Sequence, residues 1–253
     1  MTSTVVLLLL IIVVGTYFQT ATGFGLGIIV TGATTAFGLA DLNFIAAVVS
    51  LITLVNCAFS LPGCLKQLDW RAMCAAGIAV CPGVIIGVVL LAYLSDFATN
   101  ILQILLGIMI IISGVSSMLS AKNREHQSRS HDASFFVSGL ASGFTGGLFG
   151  IAGPPLVFHF YRQPFSIVTI RNMLLMLFAC ICAIRSGYLA FYGLLTDEIL
   201  ILSVFAIPLV SVTTLLVRRF PPALSPQHMR YVVFTLLILI GGHLLISGLW
   251  SLL

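Results

Sequence analysis

The sequence predicts an all-α polytopic membrane protein built as two inverted repeats. Each repeat is a broken, re-entrant helical hairpin followed by three transmembrane helices. Three observations carry this expectation. The chain of 253 residues is 60% hydrophobic and only 7% charged, with mean hydropathy +1.18, whereas a soluble domain is about a quarter charged. Apolar runs near the length of about twenty residues that crosses a bilayer recur from end to end. Two of these runs are interrupted by clusters of glycine.

The first run, 4–38, is broken by TATGFGLG at 20–27 and reads as a hairpin. Unbroken spans follow at 42–61, 72–94 and 97–120. The most polar stretch, AKNREHQSRSHD at 121–132, is a solvated linker between the first repeat, 1–120, and the second, 133–253. The second hairpin, 133–160, carries Gly139, Gly143, Gly146, Gly147, Gly150 and Gly153, then Pro154-Pro155. Glycine loosens a helix and proline removes a donor, so one regular rod is excluded there. Broken backbone at membrane depth survives only beside protein or water, and such a break marks a transporter's binding site. Spans at 165–193, 198–217 and 230–252 complete the chain. An offset of 124 places Gly15 on Gly139, Gly23 on Gly147 and Leu51 on Leu175, and an offset of 126 places Pro82 on Pro208. The shared order, a broken run then three ordinary ones, is the firmer sign of repetition.

Charge sets the topology. If every run crossed once, the bases Lys66, Arg71, Lys122, Arg124 and Arg129 would oppose Arg162, Arg171, Arg218, Arg219 and Arg230. If 133–160 instead returns to the side it left, all of these fall on one face, and Asp41, Asp96, Asp197 and Glu198 on the other. Basic loops are cytoplasmic. The linker is therefore placed inside, and both termini outside if 4–38 is also a hairpin. The net charge of +4 is a topology signal and not a nucleic-acid surface. The first base is Lys66, so the N-terminus lacks the basic start of a signal peptide and reads as mature sequence. Cys57, Cys74, Cys81, Cys180 and Cys182 lie in apolar runs, Cys64 does not, and none has metal or redox spacing.

At QTATGFGLG, 19–27, and SGFTGGLFGIAGPPL, 142–156, the chain resembles the sulfite exporter TauE/SafE family of membrane permeases. The resemblance covers nearly the whole chain. Where many relatives run through consecutive glycines, this chain has Gly150-Ile-Ala-Gly153. The resemblance implies transport of a small sulfur-containing anion such as sulfite, sulfoacetate or thiosulfate.

Helix N-termini expose unpaired N–H groups and partial positive charge, so they attract anions. Gly23, Gly25, Gly27, Gly146, Gly147 and Gly150 are candidates to line such a site, with Gln19, Thr20, Thr22 and Thr145; the alternative is that the glycines only allow close helix packing. Arg185, deep in an apolar run, either faces an anionic solute or snorkels toward Asp197 and Glu198. Arg171, with Asn172 beside it, is a funnel or a topology anchor, and Arg162 an anchor. Asn56 lines the cavity or bonds between helices, and His159 carries a proton or sits at the interface. His243 reads as a helix–helix contact. No catalytic constellation, metal-ligand spacing or nucleotide motif is present, so no cofactor is expected. The expected partners are a small anionic solute and the lipid bilayer of the cytoplasmic membrane. A homodimer is left open. An anion channel of the same build, or a thiol enzyme using Cys180, Cys182 and His159, are the rival readings.

Overall fold

The computed structural model describes residues 2–62, 68–95, 99–120, 129–220 and 226–250. Ten α-helices make up the described residues: α1 (Thr2–Thr22), α2 (Leu26–Ala36), α3 (Leu42–Ser60), α4 (Trp70–Ser95), α5 (Thr99–Ser120), α6 (Asp132–Phe149), α7 (Pro154–Tyr161), α8 (Ile167–Phe191), α9 (Asp197–Arg219) and α10 (Pro226–Trp250). Six of these, α1, α3, α4, α8, α9 and α10, are long and apolar enough to cross a membrane. Their outward side chains, such as Ile78, Val89, Val204, Phe205 and Leu239, are exposed, as suits helices whose solvent is lipid. Most of the linker, 121–128, lies outside the described residues, as do Cys64, Lys66 and Asp96.

Both predicted breaks are present. The chain leaves α1 through Gly23 (φ 89°) and Gly25 (φ 119°), and leaves α6 through Gly150 (φ 70°). These are left-handed conformations, open to glycine and costly for a side chain. The arms are unequal. The sequence suggests paired half-helices, but α1 has 21 residues and α6 has 18, against 11 in α2 and 8 in α7. At 1.5 Å per residue the long arms measure roughly 32 and 27 Å, and the short ones roughly 17 and 12 Å. The unbroken Leu/Ile/Val run from Val5 to Val14 lets α1 continue to spanning length.

The second hairpin returns to the face it leaves. Ser130, just before α6, donates its N–H to Gln163 Oε1 at 2.9 Å, and Gln163 Nε2 donates back to Ser130 Oγ at 2.9 Å. The same face gathers a small ion-pair cluster: Arg71 to Asp132 at 2.6 Å, and Arg129 to both Asp69 and Asp132 at 2.9 Å. Loss of hydration pushes the Asp69 carboxyl up, but the Ala72 amide and the Arg129 guanidinium outweigh it and hold it below the usual carboxylate value. At Asp132 the same opposition is settled downward by Arg129 and Arg71. Arg218, at the end of α9, joins this face by donating to the carbonyls of Phe59 and Pro62.

Helix pairings come in matched sets when the first five helices are set beside the last five. α6 packs on α4 as α1 packs on α9; α8 packs on α4 as α3 packs on α9; α7 packs on α5 as α2 packs on α10. α3 meets α8 and α5 meets α10. The closest of these contacts is α4 against α6. A Cβ on Gly143 would stand 2.5 Å from the carbonyl oxygen of Val80, and one on Gly83 2.5 Å from that of Leu140. Gly139 and Gly147 meet Ala76 and Val84 in the same way. Small residues spaced by four let two backbones approach, which is how helices associate where lipid offers no hydrophobic drive.

Candidate functional site

The first tip is held from within its own chain. Gly23 donates to the Gln19 carbonyl at 2.8 Å, and the Thr22 hydroxyl stands 2.8 and 2.9 Å from the carbonyls of Phe18 and Phe24. Tyr161, at the end of α7, donates its hydroxyl to the Thr22 carbonyl at 3.1 Å. Gly23 rests on Arg171: a Cβ there would lie 2.9 Å from Arg171 Cγ and 3.0 Å from its Cα. The second tip closes with the Gly150 N–H donating to the Gly146 carbonyl at 3.0 Å.

The two tips meet. A Cβ on Gly27 would be 2.7 Å from the Gly150 carbonyl oxygen, and Thr31 Oγ1 donates to the Phe149 carbonyl at 3.3 Å. Between them is a hollow of about 20 Å³. Its walls are Gln19, Gly25, Gly27 and Ile28 from the first hairpin, Gly150, Ala152 and Gly153 from the second, Thr53 from α3, and Phe178 and Cys182 from α8. That is room for roughly one water molecule.

The helices that start at this hollow differ in what they offer. In α7, Pro154 and Pro155 have no N–H, and the Leu156 N–H is taken by Ser142 Oγ at 2.9 Å. In α2, the Leu26 N–H goes to Gln19 Oε1 at 3.2 Å, and the Ile29 N–H to the Gly25 carbonyl at 2.8 Å. Among the described residues, the N–H groups of Gly27 and Ile28 make no hydrogen bond. Both residues line the hollow. The first turn of α2 therefore presents unpaired donors and the positive end of a helix dipole to this hollow.

A buried polar chain supports this turn. Gln19 Nε2 donates to Asn56 Oδ1 at 3.2 Å. Asn56 Nδ2 donates to Thr20 Oγ1 at 2.7 Å and to Thr214 Oγ1 at 2.8 Å. The Thr20 and Thr214 hydroxyls donate in turn to the carbonyls of Thr16 and Val210. The chain thus joins α2, α1, α3 and α9.

Arg185 is 1% exposed, so it does not snorkel to Asp197 and Glu198. Its Nη1 donates to the Gly146 carbonyl at 3.3 Å, its Nε has no partner, and among the described residues no carboxylate pairs with it. It stands one helical turn beyond Cys182 on α8, while Gly146 stands one turn before Gly150 on α6. It is thus next to the hollow and not on its wall.

The remaining sequence candidates lie elsewhere. Gly147 packs on α4 at Val84, and Gly146 against Ile181. Thr145 donates to the Ser142 carbonyl of its own helix at 3.3 Å. His159 sits half-buried beside Phe135, its ring 4.6 Å from that ring, near the ion-pair face. The sequence missed Ser142, Thr53 and Thr214, and it pointed to Cys182 only as a thiol of the rival enzyme reading. Ser142 alone had a local signal, a hydroxyl inside a glycine-rich break. Cys57 and Cys182 are buried, Cys180 is half-buried, and Cys74 and Cys81 are exposed, all as free thiols. Among the described residues no three metal-ligating side chains converge.

A multi-pass helical bundle whose broken hairpins close a small hollow, with open amides on its wall and a buried cation beside it, has the build that suits a membrane transporter. The family model for the sulfite exporter TauE/SafE matches residues 7–244, and the chain belongs to that family. It is 47% identical over 234 residues to the probable sulfite/organosulfonate exporter TauE of Cupriavidus necator, an alignment covering 92% of this chain and 91% of that protein. No solved structure matches the chain.

Proposed function

We propose that the protein is a secondary transporter that carries a small sulfur-containing anion, sulfite or an organosulfonate, across the cytoplasmic membrane by alternating access between inverted halves. The observation that carries this reading is the pair of unpaired amides, Gly27 and Ile28, on the wall of the inter-tip hollow. An oxyanion takes such donors readily. Gln19 completes the wall, and Arg185 supplies charge from one turn away. The named activity of the Cupriavidus necator relative supports the substrate class.

The hollow holds about one water, and sulfite has four heavy atoms, so the tips part to admit the solute. The glycine breaks are hinges suited to that motion. We place the face carrying Arg71, Arg129, Arg162 and Arg218 in the cytoplasm, because basic loops stay inside. An interior-negative potential then drives an anion outward by about 2.3 kcal/mol per charge per 100 mV. Export needs no coupled ion on this account, whereas uptake would.

The test is flux in proteoliposomes with sulfite, thiosulfate, sulfoacetate and sulfate at fixed pH and imposed potential. We expect saturable transport of the sulfur anions, faster when the inside is negative and the solute leaves. Current that rises without saturation would make the protein a channel, and no flux of any of the four would overturn the reading. Arg185→Ala should lower the rate at least about tenfold, as for loss of a charged contact, with the protein still in the membrane. A wild-type rate would remove Arg185 from the site.

A further inference from the structure

The buried chain from α9 to α2 has a forced polarity. Thr20 and Thr214 each spend their single hydroxyl proton on a carbonyl of their own helix, Thr16 and Val210, at 2.8 and 2.7 Å. Toward Asn56 they can only accept. The Asn56 side chain must therefore turn its NH₂ to both of them, at 2.7 and 2.8 Å, and its oxygen to Gln19. Gln19 must then turn its own NH₂ to Asn56, at 3.2 Å, which leaves its oxygen as the only group it can show to α2. That oxygen sits 3.2 Å from the Leu26 N–H, on the first turn of the helix whose next two amides are open to the hollow. Gln19 and Asn56 are 2% and 0% exposed, so bulk water does not enter this accounting. The whole arrangement delivers one carbonyl oxygen to the place where an oxyanion oxygen is best received.

We propose that the Gln19 side chain is a built-in stand-in for the solute: it occupies the α2 start when the site is empty, and the arriving anion displaces it. This rests on the function proposed above. An anion seated on the Gly27 and Ile28 amides competes for the adjacent Leu26 N–H. Its charged oxygens are stronger acceptors than an amide oxygen, so Gln19 yields. Gln19 cannot swing away and keep its bond to Asn56 in the same geometry. The event at α2 is thereby felt by Asn56, and through Thr214 by α9, a helix of the opposite half. Asn56 is a positioning residue that touches no solute; it sets which end of Gln19 faces α2. The stand-in also keeps the Leu26 donor from being desolvated and empty between cycles, a state that costs more than either bonded one.

The experiment is binding and flux of the full-length protein in lipid nanodiscs and proteoliposomes, with sulfite as the probe. A plain ligand and a stand-in predict opposite signs for Gln19→Ala. Loss of a ligand weakens binding. Loss of a competitor tightens it, by about fivefold for one net hydrogen bond, while turnover falls because arrival no longer signals to α9. Gln19→Glu provides the second arm. Its carboxylate acts as a permanent tethered anion, so it should raise the melting temperature without sulfite, abolish the further rise sulfite gives, and stop transport. Tighter binding with slower turnover in Gln19→Ala, or a raised and sulfite-blind melting temperature in Gln19→Glu, supports the stand-in. Equal or weaker binding in Gln19→Ala, or an undiminished sulfite response in Gln19→Glu, overturns it. If the wild type itself shows no response to sulfite or to an organosulfonate, the site reading fails first, and the two failures are told apart by that control.

Discussion

The two hairpins share a plan and differ in what their tips leave open. At the second tip the helix start offers no donor: two prolines open α7, and Ser142 takes the Leu156 N–H. Among the described residues, the amides left unpaired there are those of the turn itself, Ile151, Ala152 and Gly153. The long arm of that hairpin is pressed against α4 through interlocking glycines. At the first tip, Gly27 and Ile28 keep their amides free, and the Leu26 amide is held by a side chain that can move. Its arm packs on α9 with no such glycine seam. The second hairpin is built as a wall and the first as a working end. Sequence similarity between two breaks does not make them equal in role.

That contrast can be broken in three ways. The largest effect should come from Gly147→Leu, whose side chain would meet the Val84 carbonyl and the Gly87 backbone. We expect a loss of about 3 kcal/mol or more, as for severe overpacking, read as absence of a monodisperse peak in detergent; a well-folded variant would show that the seam is not tight. A middle effect should separate Ser142→Ala from Gly27→Ala. Removing the α7 cap should cost about 1 kcal/mol of stability with transport largely kept. Gly27→Ala should do the reverse, because its methyl group meets the Gly150 carbonyl at the hollow itself. Melting curves and flux on the same preparations decide it, and equal profiles would erase the distinction between the tips.

The smallest effect is electrostatic and belongs to the ion-pair face beneath the wall. Asp69 and Asp132 have lowered pKa values in the folded protein. A depressed carboxylate contributes stability that is complete above its unfolded pKa of about 4 and is lost as pH falls through the folded value. The melting temperature should thus be flat from neutral pH down to about pH 5 and decline below about pH 4. Asp132→Asn should flatten part of that decline and change little at neutral pH, as exposed pairs do. A decline that begins at neutral pH would point to another group.

Hydropathy alone carries most of this fold. Helices α3, α4, α5, α8, α9 and α10 lie on the runs 42–61, 72–94, 97–120, 165–193, 198–217 and 230–252, all but α5 being long and apolar enough to cross a membrane, and the glycine clusters mark both breaks. These features are legible because they are local: an apolar run or a left-handed turn is decided by its own residues. The polar chain was legible only in part. Asn56 stands out as a polar residue in an apolar run that could bond between helices, with Gln19 and Thr20 beside the first break. Its partner Thr214, 158 positions from Asn56, carries no neighbouring signal. Gly147 and Gly27 also could not be told apart, since a glycine that admits a helix and one that admits a solute share one letter. What separates them is the partner across the gap, α4 for one and the second tip for the other.

The seam between α4 and α6 also bears on how the protein is made. α6 is not among the helices apolar enough to cross a lipid phase unaided, and it opens with Asp132 and carries four hydroxyl-bearing residues, Ser134, Ser138, Ser142 and Thr145, toward the tip. α4 is synthesised earlier and is amply apolar. It offers α6 a partner already embedded when the ribosome delivers it. Insertion of the second hairpin is then templated by the first half, and a chain with Gly83 and Gly87 both enlarged should leave 132–161 open to protease on the ion-pair side.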